Sequence, residues 1–413
     1  MPIVCTGAPL AAGGRSTRSP RRVWWLVHQW SGLKLALFSS FVFLTGTLAV
    51  FGAEFDWLLQ PALRVAPEHA PAEPNWAAIA MSAAADPMTA RIIAIEAPHA
   101  AAFAGRVSIL RTDGRRAFLY AHPATGEIQG LGPWAGAQRI LRNLHRHLNL
   151  PTRIGVPIVS ALSIPLAITF VTAFVVYPKW WHGFFRPIRW RDARTAWGDL
   201  HRLIGVWSLW FCALIALTGG WYFVESLGLD APQLPLAKIH PGTSDTATTA
   251  ARLGDSIAAA HAVRPDLKIV STYFPTPGSG AFRIMGETGN VFVRPRANTV
   301  WVDPATAKVI LIGWDTDLTF HQQLSEIADP LHFGTVGGYW TKALWFLFGL
   351  ILTGLSISGA AIYACRIAGT NAAIKPNFGA RLRSGMGRWL WLSAVLIAIG
   401  IALIPAVIFQ SAE

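Results

Sequence analysis

Charge and cysteine are both scarce in this chain, and each shortage removes a class of function. Of its 413 residues only 14% are Asp, Glu, Lys or Arg, against about 25% in an ordinary soluble domain. There are three cysteines, Cys5, Cys212 and Cys365, and no two of them form a C-x-x-C pair. That scatter excludes c-type haem attachment, a four-thiolate iron–sulfur cluster and the usual disulfide frameworks. No Gly-rich phosphate loop, dinucleotide fingerprint or flavin motif is present, so redox chemistry here needs a separate electron donor. The apolar patch ahead of the first arginines is short and weak, which argues against a cleaved signal peptide.

What replaces charge is hydrophobicity, at 53% of residues, together with 19 Trp. Five runs, at residues 24–51, 154–177, 200–224, 340–363 and 389–409, are long enough to cross roughly 30 Å of hydrocarbon as helices. The net charge of +13 is distributed as a topology signal and not as a nucleic-acid footprint. Arg15, Arg18, Arg21 and Arg22 precede the first run. Lys179, Arg186, Arg189, Arg191 and Arg194 lie between the second and third, and Arg366, Lys375, Arg381, Arg383 and Arg388 between the fourth and fifth. All acids except Asp192 and Asp199 fall in the two long loops or at the C-terminus. The positive-inside rule then places the N-terminus and both short loops in the cytoplasm, and the long loops and C-terminus outside.

The reading is a mainly α membrane protein, a bundle of five transmembrane helices with two small α+β outer domains. Its divisions are a basic tail at 1–22, spans at 23–53, 144–178, 198–225, 332–365 and 388–410, inner loops at 179–197 and 366–387, and outer domains at 54–143 and 226–331. Residues 61–74 form a Pro- and Ala-rich linker. In the first outer domain residues 75–85 read as a helix, and 91–96, 106–111 and 116–121 as strands with turns at Asp113-Gly114 and Gly126. The second repeats the order, with a helix at 248–263 and strands at 268–274, 281–285, 290–293 and 299–302.

The repeat reaches into the membrane. A shift of 173 positions superposes His28 on His201, Gly32 on Gly205 and Thr45-Gly46 on Thr218-Gly219 without a gap. The outer segments share a Pro-Ala-Thr turn, at residues 123–125 and 304–306. Each outer domain ends in a histidine just before the chain returns to the membrane: His145 or His147 in Leu-His-Arg-His-Leu, and His332 in Pro-Leu-His-Phe-Gly. Spacing to Tyr177 and Tyr363 does not choose between His145 and His147. By depth, His28 pairs with His201 and the outer two form a second pair. Ionisable residues in a membrane bundle are functional candidates by default, and paired imidazoles on facing helices suit an iron porphyrin held from both sides. Gly32 and Gly205, one turn from their histidines, would let a flat macrocycle approach the backbone. A lone interfacial histidine is ordinarily a hydrogen-bonding residue, but four paired by depth and by repeat point to a cofactor. With no Cys, Met or carboxylate nearby, copper and zinc fit less well. Lys34 reads either as a snorkelling surface lysine or as a cation beside an acidic cofactor group. His321 reads as a solvated surface residue that approaches the outer site only as an alternative; His182 lies in the basic inner loop, and His69, His99, His240 and His261 lie in the outer loops or domains.

The VHQWSGL and DLHRLIGV helix starts, the Thr-Gly pairs, LHRHL, PLHFGTVGG and the Pro-Ala-Thr turns resemble the PepSY-associated transmembrane helix family over residues 22–366. The resemblance implies two periplasmic PepSY domains and two b-type haems, with His28, His201, His145 and His332 as axial ligands of the haem iron; its leucine-histidine opening favours His145. It also implies a bacterial inner-membrane oxidoreductase, drawing electrons from a reductase or quinol and reducing a periplasmic ferric siderophore or other iron(III) chelate to release Fe(II). His122 departs from the family's acidic residue before the turn proline, whereas Asp303 keeps it. The alternatives are a non-redox PepSY regulatory or peptide-binding protein and a metal or siderophore transporter.

Overall fold

A computed structural model describes residues 20–67, 71–239, 245–276, 278–368 and 378–408. Cys5, Arg15, Arg18, His69, His240, Lys375 and the end of the fifth run lie outside the described residues. In chain order the helices are α1 (Pro20–Lys34), α2 (Ala36–Ala49), α3 (Gly52–Leu59), α4 (Trp76–Ala85), α5 (Ala137–His147), α6 (Thr152–Ser160), α7 (Ser163–Val176), α8 (Ala193–Trp207), α9 (Leu209–Ser226), α10 (Thr246–Ala251), α11 (Leu253–Val263), α12 (Phe320–Phe333), α13 (Gly338–Ala368), α14 (Phe378–Met386) and α15 (Arg388–Ala402). Among the described residues four stretches are long and apolar enough to cross a membrane: Thr152–Val176, Leu209–Ser226, Gly338–Arg366 and Arg388–Ile408. The bent pair α1–α2 makes a fifth if it counts as one span.

The first run was expected to be one helix and is two, bent by 63° between Lys34 and Ala36. The third also breaks, between α8 and α9. The breaks fall at Leu35 (φ −106°, ψ 15°) and Ser208 (φ −98°, ψ 6°), the same position of the 173-residue repeat, three residues after Gly32 and Gly205. No proline is present, and small Gly and Ser residues around a turn are the usual remaining cause of a kink. The break lets each odd span change neighbours. The inner half of span one, α1, packs on α7, while its outer half, α2, packs on α13; α8 packs on α13 and α9 on α7. Both repeats therefore share one bundle.

Outside the bundle are eight strands: β1 (Thr89–Glu96), β2 (Gly105–Arg111), β3 (Arg116–Ala121), β4 (Ile128–Pro133), β5 (Lys268–Tyr273), β6 (Phe282–Glu287), β7 (Thr299–Val302) and β8 (Val309–Gly313). They form one antiparallel sheet in the order β4-β3-β2-β1-β5-β6-β7-β8. The two outer segments, read as separate domains, are thus fused edge to edge through β1 and β5, with Ile95 opposite Thr272. Alternation assigns the faces. Ala117, Leu119, Val300 and Val302 turn towards α4 and α11, whereas Phe118 and Tyr120 meet Leu63 and Val65 on the other face. The Pro-rich segment is therefore no free linker, since it covers the sheet.

Residues 290–293 are a turn and not a strand. Asn290 Oδ1 accepts from Phe292 N at 3.1 Å, and Val291 and Phe292 are exposed, so a local Asx turn outcompetes pairing. The helix at 248–263 is divided at Arg252 into α10 and α11. At the Pro-Ala-Thr turns Asp303 Oδ1 accepts from Ala305 N at 2.9 Å, and His122 Nδ1 accepts from Ala124 N at 3.3 Å. His122 thus performs the acid's turn-closing role.

Sheet and bundle are joined by an ion cluster at the outer surface. Buried Lys342 of α13 donates to Glu54 of α3, and His99, from the β1–β2 connection, lies 3.5 Å from the same Glu54 oxygen. Burial raises the Glu54 pKa, but bonds from His99 and Lys342 outweigh it and hold the carboxyl down at about 2, from an ordinary 4.5. A depressed carboxylate stabilises fully above pH 4.5 and loses that contribution as pH falls towards 2. Glu54→Gln strands the Lys342 charge and is expected to destabilise by about 3 kcal/mol at pH 7. Thermal melting in detergent checks this, and the wild-type and variant midpoints should converge at pH 2–3.

Candidate haem-binding histidine pairs

The four histidines come together in two pairs. The His28 and His201 rings stand 6.5 Å apart between centroids, and His145 and His332 stand 5.9 Å apart. His147 is turned away. Its Nδ1 closes a local turn onto Leu150 O at 2.7 Å, in the left-handed cap formed by Leu148 and Asn149.

Distances of this size are also ordinary for packed rings, so the hydrogen bonding carries more weight. His28 Nδ1 meets Thr169 O at 3.1 Å and Thr172 Oγ1 at 2.9 Å. His145 Nδ1 meets Val42 O at 2.8 Å. A carbonyl only accepts, so both Nδ1 atoms carry the proton. His201 Nδ1 meets Ser358 Oγ and His332 Nδ1 meets Thr218 Oγ1, each at 2.8 Å. Ser358 already donates its hydroxyl proton to Leu355 O, and Thr218 to Leu214 O. These hydroxyls therefore accept, and His201 and His332 are Nδ1-protonated as well. All four Nε2 atoms keep a free lone pair, and none has a hydrogen-bond partner among the described residues. A metal-ligating imidazole is oriented in this way by its second nitrogen.

Each imidazole of the His145–His332 pair has a local reason for its position. Asp56 accepts from Ala137 N at 2.5 Å, capping α5, and leaves no room for a side chain at Gly136. Gly46 lies directly beneath the His145 ring, where a Cβ would come within 2.5 Å of Cε1. Gly334 (φ 69°) ends α12 two residues after His332, and Trp345 Nε1 holds Leu331 O at 2.8 Å.

The inner pair borders a largely apolar cavity of about 490 Å³ that Gly32 and Gly205 also line, within the size range of small-molecule sites. A Cβ at Gly32 would meet Thr169 at 3.7 Å and one at Gly205 would meet Leu355 at 3.5 Å. Those are ordinary contacts, so packing of the protein itself does not require glycine there. Arg366 lines the same cavity with its guanidinium over Trp25 and no carboxylate in ion-pair range among the described residues, whereas Arg202, which also lines it, is ion-paired with Asp199 at 2.8 Å. Such a lining suits a flat apolar group with an acidic edge.

An imidazole nitrogen binds a transition metal at about 2 Å, so two imidazoles on one metal stand with centroids about 6 Å apart, as both pairs do. Two imidazoles supply only two donors, and no group of three or more His, Cys, Asp or Glu is arranged around a metal position among the described residues. The residues thus fit a metal that brings its own in-plane ligands, which is what haem does. Removing the supporting hydroxyls by Ser358→Ala or Thr218→Val is expected to weaken haem retention in the corresponding pair about 10-fold, measured by haem titration of the purified variants.

The remaining sequence candidates separate cleanly. Lys34 Nζ donates to Gly385 O at the end of α14 at 2.6 Å, a helix C-terminal contact outside the inner cavity. His321 is not a solvated surface residue: its Nε2 is buried without a partner and its ring packs on Trp221. Sequence reasoning missed the hydroxyl partners, although Thr218 stood in a repeated Thr-Gly pair. It also missed a charged network over the outer pair. Tyr222 packs on the His332 ring at 5.3 Å and donates to Asp329 at 2.6 Å, and Asp329 accepts from Arg294 at 2.6 Å.

No match was found among curated proteins. Residues 25–366 match the family described as PepSY-associated TM region; with that stretch covering both histidine pairs and the sheet between them, the chain belongs to the PepSY-associated transmembrane family.

Proposed function

We propose that the protein is a bacterial inner-membrane oxidoreductase that carries electrons outward through two b-type haems and reduces a periplasmic ferric siderophore or other iron(III) chelate. The observation that carries this reading is that the four imidazoles form two facing pairs in which each Nδ1 is spent on the bundle and each Nε2 has no hydrogen-bond partner among the described residues. His28 and His201 would hold one haem and His145 and His332 the other. Bound there, haem would supply reversible one-electron chemistry, and an imidazole from each side would favour electron transfer over binding of a small ligand.

The chain's own residues do the rest. The helix breaks at Leu35 and Ser208 bring each histidine against a hydrogen-bond acceptor. Arg366 offers a cation to an acidic edge of the inner group. The basic inner loops orient the pairs so that the donor, a reductase or quinol, meets the inner pair and the chelate meets the outer one. The net reaction is one electron to Fe(III), giving Fe(II), which such chelates bind more weakly.

The absorption spectrum of the purified protein tests the reading. A Soret band and a reducible α-band, at about two haems per chain, are expected from two imidazole pairs. A colourless protein after expression with haem supply overturns the redox reading in favour of a binding or regulatory PepSY protein.

A further inference from the structure

We infer that the acceptor site above the outer pair is built for a chelate of net negative charge, with iron held by carboxylate or catecholate oxygens. This rests on the electron-transfer reading and adds the charge of the substrate. α5, the helix that carries His145, also carries Arg139, Arg142 and Arg146. Spacings of three and four put them on one helical face. None has a carboxylate in ion-pair range among the described residues. Arg139 lies over the Trp134 ring at 3.8 Å and donates to Trp134 O, while Arg142 and Arg146 are exposed. Like charges at these spacings weaken a helix, so the strip is not explained by the stability of α5.

On the opposite wall the charges are paired with one another, which leaves the α5 strip as the unbalanced one. Arg146 lies within charge–charge range of Arg142, Arg294 and Asp329. Arg294 and Arg296 are pinned by Glu326 and Asp329 of α12, the helix that carries His332. The nearby Glu225 is turned to Ser325 and Trp221. Of the two helices that carry outer histidines, α5 thus presents guanidiniums, and α12 presents Glu326 and Asp329, which are already engaged by Arg294 and Arg296. Guanidinium forks match carboxylate and catecholate oxygens in geometry as well as charge.

Lipid phosphates share this anionic chemistry, but the strip runs away from the bilayer. Trp134, under Arg139, stacks on Phe118 of β3 at 5.0 Å, so the arginines lead from the outer pair up to the sheet. A soluble anion fits that path better than a headgroup does.

The test uses full-length, haem-loaded protein in phosphatidylcholine nanodiscs, pre-reduced and mixed with either ferric citrate, an anion, or a ferric trihydroxamate bearing an ammonium group. Reoxidation by ferric citrate is expected to be the faster and to slow about 10-fold between low and high salt, as for other steered encounters. The double variant Arg142→Gln/Arg146→Gln should slow ferric citrate about 10-fold and speed the cationic chelate, with unchanged haem content. Arg142→Lys/Arg146→Lys should retain the salt dependence. Equal slowing of both chelates, or rates without salt dependence, overturns the inference while leaving the reductase reading intact. A variant effect that appears only in phosphatidylglycerol nanodiscs assigns the arginines to lipid and likewise overturns it. If neither chelate reoxidises the protein, the reductase reading itself falls, and the inference with it.

Discussion

His332→Ala is expected to lower the rate at which an iron(III) chelate reoxidises the reduced protein by at least about 100-fold, since loss of even a supporting contact to a metal ligand costs 10–100-fold. The position concentrates more interactions than any other histidine. Its Nδ1 is fixed by Thr218 at 2.8 Å, its ring faces His145 at 5.9 Å, and Tyr222 closes one side at 5.3 Å. Truncation removes the free Nε2 and leaves His145 without a counterpart, so the outer haem should be lost or become high-spin. The inner pair shares no hydrogen bond with His332 and should keep its spectrum and its reducibility. Stopped-flow reoxidation, with Fe(II) trapped by a colorimetric chelator, measures the rate, and the α-band reports which haem remains. A rate within threefold of wild type would mean that the chelate takes its electron elsewhere. His321→Ala is the matched control, because its ring packs on Trp221 and not on the pair.

Much of the site was legible because it is repeated. A gapless shift of 173 residues already paired His28 with His201 and marked Thr218, and alternation of hydrophobic depth separated an inner pair from an outer one. Spacing left His145 and His147 open and the resemblance favoured His145; the geometry gives a physical reason to separate the two. Both lie on the last turn of α5, and only the left-handed cap at Leu148 and Asn149 turns His147 back onto Leu150. The helix breaks at Leu35 and Ser208 escaped because neither carries proline, and a long apolar run reads as one helix whether or not it bends. Most strands were visible as alternating segments, yet their fusion into a single sheet was not. The contact of residues 94–96 with 271–273 joins segments far apart in sequence, and local pattern carries no information about which edge finds which. Residues 290–293 have strand-like composition in Val291, Phe292 and Val293, but Asn290 closes a turn on them first. Lys34, left open by the sequence between a snorkelling lysine and a cation beside an acidic cofactor group, donates to the carbonyl of Gly385.

Pairing by depth makes a prediction of comparable size for the inner site. His201→Ala should remove about half of the bound haem, because an imidazole pair holds one iron between its two members. His28→Ala should remove the same half, since the two rings face each other at 6.5 Å across one cavity. The double variant should then lose little more than either single one, as residues acting as a unit are not additive. His201→Ala with His332→Ala should instead leave almost no haem. The flow of electrons separates the pairs further. Outer haem in His201→Ala should still be reducible by dithionite from the outer side, and should no longer be reduced at the wild-type rate by a donor confined to the face with the basic loops. Haem content by pyridine haemochrome and sided reduction in proteoliposomes provide both readouts. If His201→Ala and His332→Ala were to remove the same haem, the histidines would pair across depth, and the two-step relay would give way to a single site. The geometry argues against that outcome. His201 is tied by Ser358 to the inner half of α13, while His332 is tied by Thr218 to α9, beyond the helix break at Ser208.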